Sequence, residues 1–509
     1  MKKQVLILIF IHLLCFKTNA QIFTLSPNNG SITITPNGLR GNNNSNITSN
    51  VGLGDDNLRS ITTGGFNVAI GISSLTSNTT GSSNTAVGTL SLSSNKTGSS
   101  NTSNGVGSLN FNTTGSYNTA IGAGSLANNT EGFYNTANGY LALHKNTTGS
   151  FNTAIGSSSI YSNTTGNNST ATGYFSLYSN TSGSNNTANG FYALRYNTIG
   201  SNNTALGYLS LSSNTEGNNN VAFGVQALNS NTTAKENTAV GSYSLMQNTT
   251  GVQNTASGYI SLYANTTGYQ NTVIGSWALV YNTIGNYNTA SGNGSLHYNI
   301  SGDRNTSNGH QSLFSNTTGN LNTAIGNSSG SINTTGNNNT FLGANANSLV
   351  NNLENATAIG YGAIVNSNNK IVIGNASAST VGGYGTWTNY SDRRLKENII
   401  YTDRLGLEFI MRLKTASYNY SDDKNKRRRD GLIAQDVQKV MQKLKIPFSG
   451  LIEDEDKQKT LNLSYSELVI PLINAIQELK RENEALKKAI QKVDKLESEV
   501  ANFNRFFCK

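Results

Sequence analysis

The arrangement of apolar and polar positions divides the chain into parts with different periods. From Asn50 to Gly374, short apolar stretches recur every 17 residues within a background of Asn, Thr, Gly and Ser. From Ser391 the pattern is that of a small mixed domain, and from Pro471 apolar residues recur at helical spacing. The pattern therefore predicts a mainly β repeat array, then a small α+β domain, then a long terminal helix.

Glycine fixes the register of the repeat, because it fills 19 consecutive positions spaced 17 residues apart, from Gly54 to Gly360. This period is too short for a helical hairpin, and Asn, Thr, Gly and Ser are poor helix formers. It suits one coil of a parallel β-solenoid or β-roll, with two short strands and two tight turns. The last unit shortens to 14 residues, between Gly360 and Gly374.

Each unit, counted from the Asn of stretches such as NTAIG, contains rows of equivalent residues. The small residue two positions before the Gly is predicted to face inward and the residue just before the Gly outward. Leu or Ile, eight positions after the start, is the main core residue. Gly330 and Asn347 are exceptions, and Leu349 is expected to stand in for Asn347. The unbroken Asn row from Asn78 to Asn333 predicts a side-chain ladder.

One Leu and one Ala per coil make a thin core, so we expect several rods to associate through their outward rows where these are apolar. A homotrimer is favoured. The final units, NATAIGYGAIVNSNNKIVIG, resemble the head repeats of trimeric autotransporter adhesins. The resemblance spans Asn50 to about Gly374 and implies parallel β-rolls in three adjacent chains, although the 17-residue period is longer than usual in those heads.

The repeat array shows no regular catalytic or metal-binding pattern. Its acidic residues have no fixed place in the unit, which disfavours glycoside hydrolysis and calcium-binding β-helix repeats. His144, His297 and His310 are interpreted as surface residues, and no metal or cofactor is expected. An ice- or glycan-binding solenoid, with the Asn–Thr rows as the ligand surface and a cell-surface glycan or receptor as target, is kept as an alternative.

The N-terminus has the pattern of a secretory signal peptide over residues 1–20. Two lysines precede an apolar run too short to span a bilayer, and small residues precede a cleavage point before Gln21. Leu14 before Cys15 disfavours a lipoprotein signal. After cleavage only Cys508 remains, which excludes an intrachain disulfide and is interpreted as a free thiol. We expect a secreted or cell-surface protein without a transmembrane segment in the mature chain.

The formal net charge of +9 is unevenly distributed. Residues 21–385 contain 8 basic and 7 acidic residues, and residues 386–509 contain 24 and 19. Neither part has the one-signed charge of a nucleic-acid-binding protein. The basic stretch KNKRRRDG (Lys424–Gly431), flanked by Asp422, Asp423 and Asp430, is interpreted as a solvated hairpin loop rather than a polyanion site.

Three segments in the last part of the chain carry a second resemblance. They are SDRRLKENI (391–399), RRDGLIAQDVQKV (428–440) and LSYSELVIPLINAIQELK (463–480). In this order they resemble the intramolecular chaperone domain of phage tailspikes and tail fibres, the S74 family of self-cleaving peptidases. The resemblance implies a domain that guides trimer assembly and then releases itself. It places the scissile bond at Tyr390–Ser391, with Ser391 as nucleophile and Lys396 as base.

The residues themselves support a Ser–Lys pair. No His follows His310, so a Ser-His-Asp triad within this domain is excluded. A lysine can act as a base when burial or nearby cations, here Arg393 and Arg394, favour its neutral form. A five-residue spacing does not share a helix face, so Ser391 and Lys396 must meet through a non-helical bend or across chains.

The enzyme assignment stays open at this point. Ser391 or Asp392 could simply cap a helix, with the charged cluster as a solvated face. The protein would then be an uncleaved structural adhesin or fibre that retains its terminal domain as a cap.

The terminal helix has a heptad seam, with Pro471 in its first turn. The seam residues are Leu472, Ile476, Leu479, Asn483, Leu486, Ile490, Val493, Leu496, Val500, Phe503 and Phe507. The length of the seam favours a parallel trimeric coiled coil over an amphipathic helix that packs on its own domain. The predicted domains are a signal peptide (1–20), an N-terminal segment (21–49), the solenoid (50–374), a connector (375–390), the chaperone domain (391–470) and the coiled-coil helix (471–509).

Overall fold

The computed structural model describes residues 23–25, 32–35, 38–39 and 50–507, apart from residues 379, 385–387, 422, 424–425, 455 and 457. The expected signal peptide and Cys508 lie outside these residues. The chain forms two compact units, residues 1–337 and 338–509. In the part described, no helix is both long and apolar enough to cross a membrane.

The repeat array is a parallel β-solenoid of about 19 coils, as the glycine period predicts. Each strand pairs with the equivalent strand of the neighbouring coil, so that Ala154 lies opposite both Ala137 and Ala171. Backbone hydrogen bonds also join the coils outside the strands, as from Leu75 N–H to Ser91 O at 3.1 Å.

In the first unit, a small antiparallel sheet precedes the coils. It consists of β1 (Phe23–Leu25), β2 (Ile32–Thr35) and β3 (Gly38–Leu39). The coil strands of this unit are β4 (Val51–Leu53), β5 (Val68–Ile70), β6 (Thr85–Val87), β7 (Thr102–Asn104), β8 (Thr119–Ile121), β9 (Thr136–Asn138), β10 (Thr153–Ile155), β11 (Thr170–Thr172), β12 (Thr187–Asn189), β13 (Thr204–Leu206), β14 (Val221–Phe223), β15 (Thr238–Val240), β16 (Thr255–Ser257), β17 (Thr272–Ile274), β18 (Thr289–Ser291), β19 (Thr306–Asn308) and β20 (Thr323–Ile325).

The second unit holds the last coils and the C-terminal domain. Its coil strands are β21 (Thr340–Leu342), β22 (Asn347–Ser348), β23 (Thr357–Ile359), β24 (Ile364–Val365) and β25 (Ile371–Ile373). The domain has two antiparallel hairpins, β26 (Thr415–Tyr418) with β27 (Arg429–Leu432), and β28 (Leu451–Glu453) with β29 (Leu461–Leu463). Its helices are α1 (Leu407–Arg412), α2 (Ala434–Leu444) and α3 (Val469–Phe507), with 3₁₀ turns at Arg393–Leu395 and Tyr465–Leu468.

Most coils contain one short strand, not the two that we predicted. Only the coils with β22 and β24 have a second strand among the described residues. Elsewhere left-handed residues turn the chain at alternate positions, as at Ser73 (φ 55°) and Leu75 (φ 50°). A left-handed leucine costs roughly 1–2 kcal/mol. Full burial of its side chain contributes about 1.5–3 kcal/mol, which offsets that cost.

The inward and outward rows are as predicted. The strand alanines are fully buried, and the residue after each of them is mostly exposed. The stand-in role predicted for Leu349 is wrong, because its side chain is 53% exposed. Phe341, at the inward strand position of the same coil, is fully buried and supplies the missing apolar volume.

The Asn row forms the predicted ladder, and the structure adds a second one. The Asn129 amide donates to the Asn112 side-chain oxygen at 2.7 Å, and the same contact recurs from Asn95 to Asn333. From Asn67 to Asn339 the first residue of each repeat is a buried Asn, except for the buried Ser169. The side-chain oxygen of this residue accepts a hydrogen bond from the backbone N–H of the equivalent residue in the next coil. For example, the Asn118 N–H donates to Asn101 Oδ1 at 3.0 Å. Both ladders satisfy polar groups in a core with little apolar volume.

Candidate functional site at the start of the C-terminal domain

A single 3₁₀ turn, Arg393–Leu395, shapes the predicted site. Asp392 caps it by accepting a hydrogen bond from the Arg394 backbone N–H at 2.9 Å. The Arg394 guanidinium also binds the Asp392 carboxylate, with an Nη2–Oδ2 distance of 2.6 Å. Hydrogen bonds from the Arg394 side chain and backbone lower the pKa of Asp392. The capping role that we considered for Asp392 is therefore present.

Ser391 and Lys396 meet on this turn. The Lys396 ammonium Nζ lies 2.8 Å from Ser391 Oγ and donates a hydrogen bond to it. Lys396 follows the turn in extended backbone (φ −122°, ψ 133°), which returns its side chain toward Ser391. Of the two routes that the five-residue spacing allowed, the structure shows the non-helical bend within one chain.

The surroundings of the pair are open to solvent. Every residue from 388 to 400 is exposed, and Tyr390 is 94% exposed. Arg394, one of the two cations expected to act on Lys396, is engaged by Asp392. The single chain therefore brings a hydroxyl and an amine into contact beside an accessible peptide bond, and it does not exclude water from them.

The second motif forms the β26–β27 hairpin and the start of α2. The arginines of the basic stretch contact the domain itself. Arg427 binds Asp423 at 3.2 Å, Arg428 donates to Ser417 Oγ at 2.8 Å, and Arg429 lies over the Tyr420 ring. Lys424 and Asp422 lie outside the described residues. These contacts favour the interpretation of this stretch as a hairpin loop.

The third motif contacts the β26–β27 hairpin through the 3₁₀ turn Tyr465–Leu468, which precedes α3. The Leu432 backbone N–H donates to Tyr465 Oη at 2.7 Å. A Cβ at Gly431 would come within 2.4 Å of the same hydroxyl, so a side chain at that position would displace Tyr465. The pKa of Tyr418 is raised to about 12: the largest cause is its hydrogen bond with Tyr420, and the second is burial.

A small hydrophobic core underlies these contacts. Phe409, Val437 and Phe448 are buried at its centre, each from a different part of the domain. Glu478 of α3 accepts a hydrogen bond from the Leu407 N–H at 2.8 Å, at the start of α1. Sequence reasoning missed the roles of Tyr465 and Glu478, although both lie inside the third motif.

The three histidines of the array form no common site. The ring Nδ1 atoms of His144 and His297 lie 2.8 and 2.9 Å from the backbone carbonyls of Gly124 and Trp277. Within the described ranges, no group of three His, Cys, Asp or Glu residues could hold a metal ion.

Residues 391–446 match the model of the peptidase S74 family, described as the chaperone of endosialidase. The matched segment begins at Ser391 and includes the first two motifs, in agreement with the resemblance that these motifs carry. No curated protein matches the chain. The chaperone domain and the fibre-like solenoid support a protein of the tail-fibre or adhesin type.

Proposed function

We propose that this protein is an exported homotrimeric fibre or adhesin whose C-terminal domain directs trimer assembly and then cuts the chain between Tyr390 and Ser391. The contact between Lys396 Nζ and Ser391 Oγ, inside the matched chaperone segment, carries the proposal. The domain acts once, on its own chain, and needs no cofactor.

The terminal helix supports assembly. Its seam residues are 44–66% exposed in the single chain from Leu472 to Phe503, apart from the polar Asn483. An apolar stripe of this length on a solvated helix is typical of a coiled-coil seam that is covered by partner helices. The side chain of Phe507, the last predicted seam residue, lies outside the described part.

The outward row of the solenoid supplies a second surface for association. Ile70, Ile121, Ile155, Leu206 and Ile274 occupy this row and are 36–53% exposed. Strands from neighbouring rods would bury these side chains and thicken a core that each chain builds only thinly.

The chemistry follows from the position of Ser391 directly after the scissile bond. Neutral Lys396 takes the proton of the Ser391 hydroxyl, and Oγ attacks the Tyr390 carbonyl carbon through a small ring. The C–N bond breaks, the Ser391 nitrogen takes the proton, and an ester joins Tyr390 to Oγ. Water then hydrolyses the ester, which leaves a carboxylate on Tyr390 and a free amino group on Ser391.

The exposure of the pair explains why cleavage would follow assembly. A lysine becomes neutral near pH 7 only when it is desolvated or lies beside other cations. Lys396 is exposed in the single chain, and we propose that partner chains cover it in the trimer before it acts as a base. The order of events is therefore trimerisation first and cleavage second.

The experiment compares native and denatured masses of the expressed chain. We expect Ser391→Ala to form a native trimer of intact chains, and the wild type to form a trimer whose chains separate into two fragments under denaturing conditions. If the wild-type trimers instead consist of intact chains, the C-terminal domain is a cap that stays attached after assembly. A monomeric Ser391→Ala chain would contradict the assembly role.

A further inference from the structure

A polar junction connects the last coil of the solenoid to the β28–β29 hairpin. The Lys370 ammonium Nζ lies 2.5 Å from Asp454 Oδ2 and donates to Asn366 Oδ1 at 3.0 Å. The Asn366 amide donates to Asp454 and to Asp456, each at 2.9 Å. Lys370 and Asn366 precede the proposed cleavage point, and both aspartates follow it. These contacts therefore join the two products of the cut.

The junction is sheltered from water. The side chain of Asp454 is 4% exposed and that of Lys370 is 26% exposed. Removing one partner of a buried ion pair leaves the other charge without compensation, which is strongly unfavourable. The Asp454 carboxylate therefore depends on the solenoid for its counter-charge.

The hairpin holds its carboxylates in place through its own contacts. Asp456 accepts hydrogen bonds from the Thr460 N–H at 2.9 Å and from Thr460 Oγ1 at 2.6 Å. The Asp454 N–H donates to Thr460 O at 2.9 Å. These bonds lie within the C-terminal fragment and do not depend on the last coil, so the docking surface is organised before contact.

A second contact crosses the same cut. The Arg427 guanidinium donates to the Ser377 backbone oxygen at 3.0 Å, while Asp423, whose side chain is fully buried, holds that guanidinium. Ser377 belongs to the solenoid side of Tyr390–Ser391, and Arg427 belongs to the domain side.

The described contacts at the junction are polar. The hydrophobic cluster of the domain is built from residues between Leu405 and Leu468, all on the domain side of the cut. Ion pairs and hydrogen bonds hold a polar junction together. Added salt weakens ion pairs more than it weakens apolar packing.

We propose that the surface formed by Asn366, Lys370 and Ser377 is a docking site for the chain's own C-terminal fragment, residues 391–509. The fragment stays bound to the end of the solenoid after the connector is cut, and it leaves when the Lys370–Asp454 pair is broken. The biological relevance of this site rests on the cleavage in the proposed function, because cleavage produces the fragment.

The test separates docking from self-cleavage. A site for a sequence-specific protease replaces the exposed residues 380–384 in the full Ser391→Ala chain, and the purified protein is cut with that protease. We expect the fragments to elute together in size-exclusion chromatography. With Lys370→Met, the fragments should separate roughly tenfold faster or more, because Asp454 loses its counter-charge.

The control is Lys459→Met, which removes a lysine of the same hairpin whose ion pair with Glu453 is exposed. It should leave the fragments together, and Asp454→Asn should release them as Lys370→Met does. Immediate separation of the parent fragments, or equal retention in parent and Lys370→Met, would overturn the docking site. Failure of the wild type to cut itself would overturn only the proposed function, because the added protease makes the cut here.

Discussion

A buried asparagine in this solenoid completes several hydrogen bonds at once. Asn129 is fully buried and donates to Asn112 Oδ1 and to Gly132 O, at 2.7 and 2.9 Å. It also accepts a hydrogen bond from Asn146 at 2.7 Å. An alanine at this position would remove the Asn129 donor from Asn112 Oδ1 and one hydrogen bond each from Gly132 O and the Asn146 amide, which keep their bonds with Asn118 and Gly149 O.

We predict that Asn129→Ala destabilises its part of the solenoid by roughly 2–4 kcal/mol, because one unsatisfied buried acceptor costs about 1–3 kcal/mol and each further lost hydrogen bond about 0.5–1.5 kcal/mol. Hydrogen exchange of the neighbouring coils measures this, since a repeat array can open locally. The control is Asn138→Ala, which changes an exposed residue of β9. Equal protection in the two variants would show that the ladder is not stabilising.

The glycine at the end of each strand is needed for two reasons. Gly122 has φ 121°, and a Cβ there would lie 2.6 Å from Gly139 O in the next coil. We predict that Gly122→Ala costs roughly 2–4 kcal/mol through strain and overpacking. Gly107 (φ 67°) has nothing within 4 Å of a Cβ, so Gly107→Ala adds only the strain of a left-handed alanine and should cost less, about 1–2 kcal/mol. The midpoint of denaturant unfolding compares them, and similar midpoints would contradict the argument.

Residue roles could be predicted from the sequence where equivalent positions of successive repeats serve the same purpose. The glycine period, the inward-facing alanines and the Asn78–Asn333 ladder follow from regular spacing and strand geometry. The left-handed leucines could not be predicted, because leucine disfavours that conformation and only coil packing compensates for it. Leu349 was misassigned because sequence does not show that Phe341 already fills that part of the core.

Among the elements, α3 is the one whose exposed surface most directly predicts a partner. Leu486 and Ile490 are 60% and 50% exposed and lie on the seam. We predict that Leu486→Glu with Ile490→Glu dissociates the trimer, because buried, unpaired carboxylates oppose helix association. Sedimentation equilibrium measures the mass. Lys488→Glu, away from the seam, is the control, and a trimer in the double variant would contradict a coiled-coil role for α3.

The β28–β29 hairpin should respond to acid. Burial alone would raise the pKa of Asp454, but hydrogen bonds from Lys370, Asn462 and Asn366 outweigh it and hold the pKa below the ordinary value of an aspartate. A lowered carboxyl pKa stabilises the docked state fully above the ordinary value, and that contribution is lost as pH falls through the lowered value. The Asp456 pKa is lowered too, first by its hydrogen bond with Thr460.

We therefore predict that the cut fragments stay together at about pH 5 and separate faster below about pH 3.8. Chromatography across this range measures release, and circular dichroism verifies that the solenoid stays folded. Asp454→Asn should release the fragment already at about pH 5 and show a smaller change with acid. An unchanged acid response in Asp454→Asn would assign the effect to other groups.

For the whole molecule, the proposed trimer would need the long parallel stacks of its chains to be aligned. The end strands of such a stack have unpaired backbone groups, and a protein with mostly non-local strand pairing folds slowly. A helix that associates first would set the register of the coils behind it. The domain at residues 391–446 and α3 together fit this role, because one carries the chaperone match and the other an exposed seam.

The site could be located from the sequence because its three motifs are local and ordered. The contact between Ser391 and Lys396 could be anticipated but not its route, since spacing alone allowed a bend or a second chain. The Lys370–Asp454 junction could not be predicted, because 84 residues separate its partners and nothing in the local sequence marks either one.

The most direct measurement is the intact mass of the denatured chain for the wild type, Ser391→Ala and Lys396→Ala, with Ser464→Ala as a control outside the site. We predict that the wild type and the control yield two fragments that meet between Tyr390 and Ser391, and that the other two variants stay whole. Cleavage at this bond in Ser391→Ala or Lys396→Ala, or an intact wild-type chain within assembled trimers, would contradict self-cleavage by this pair.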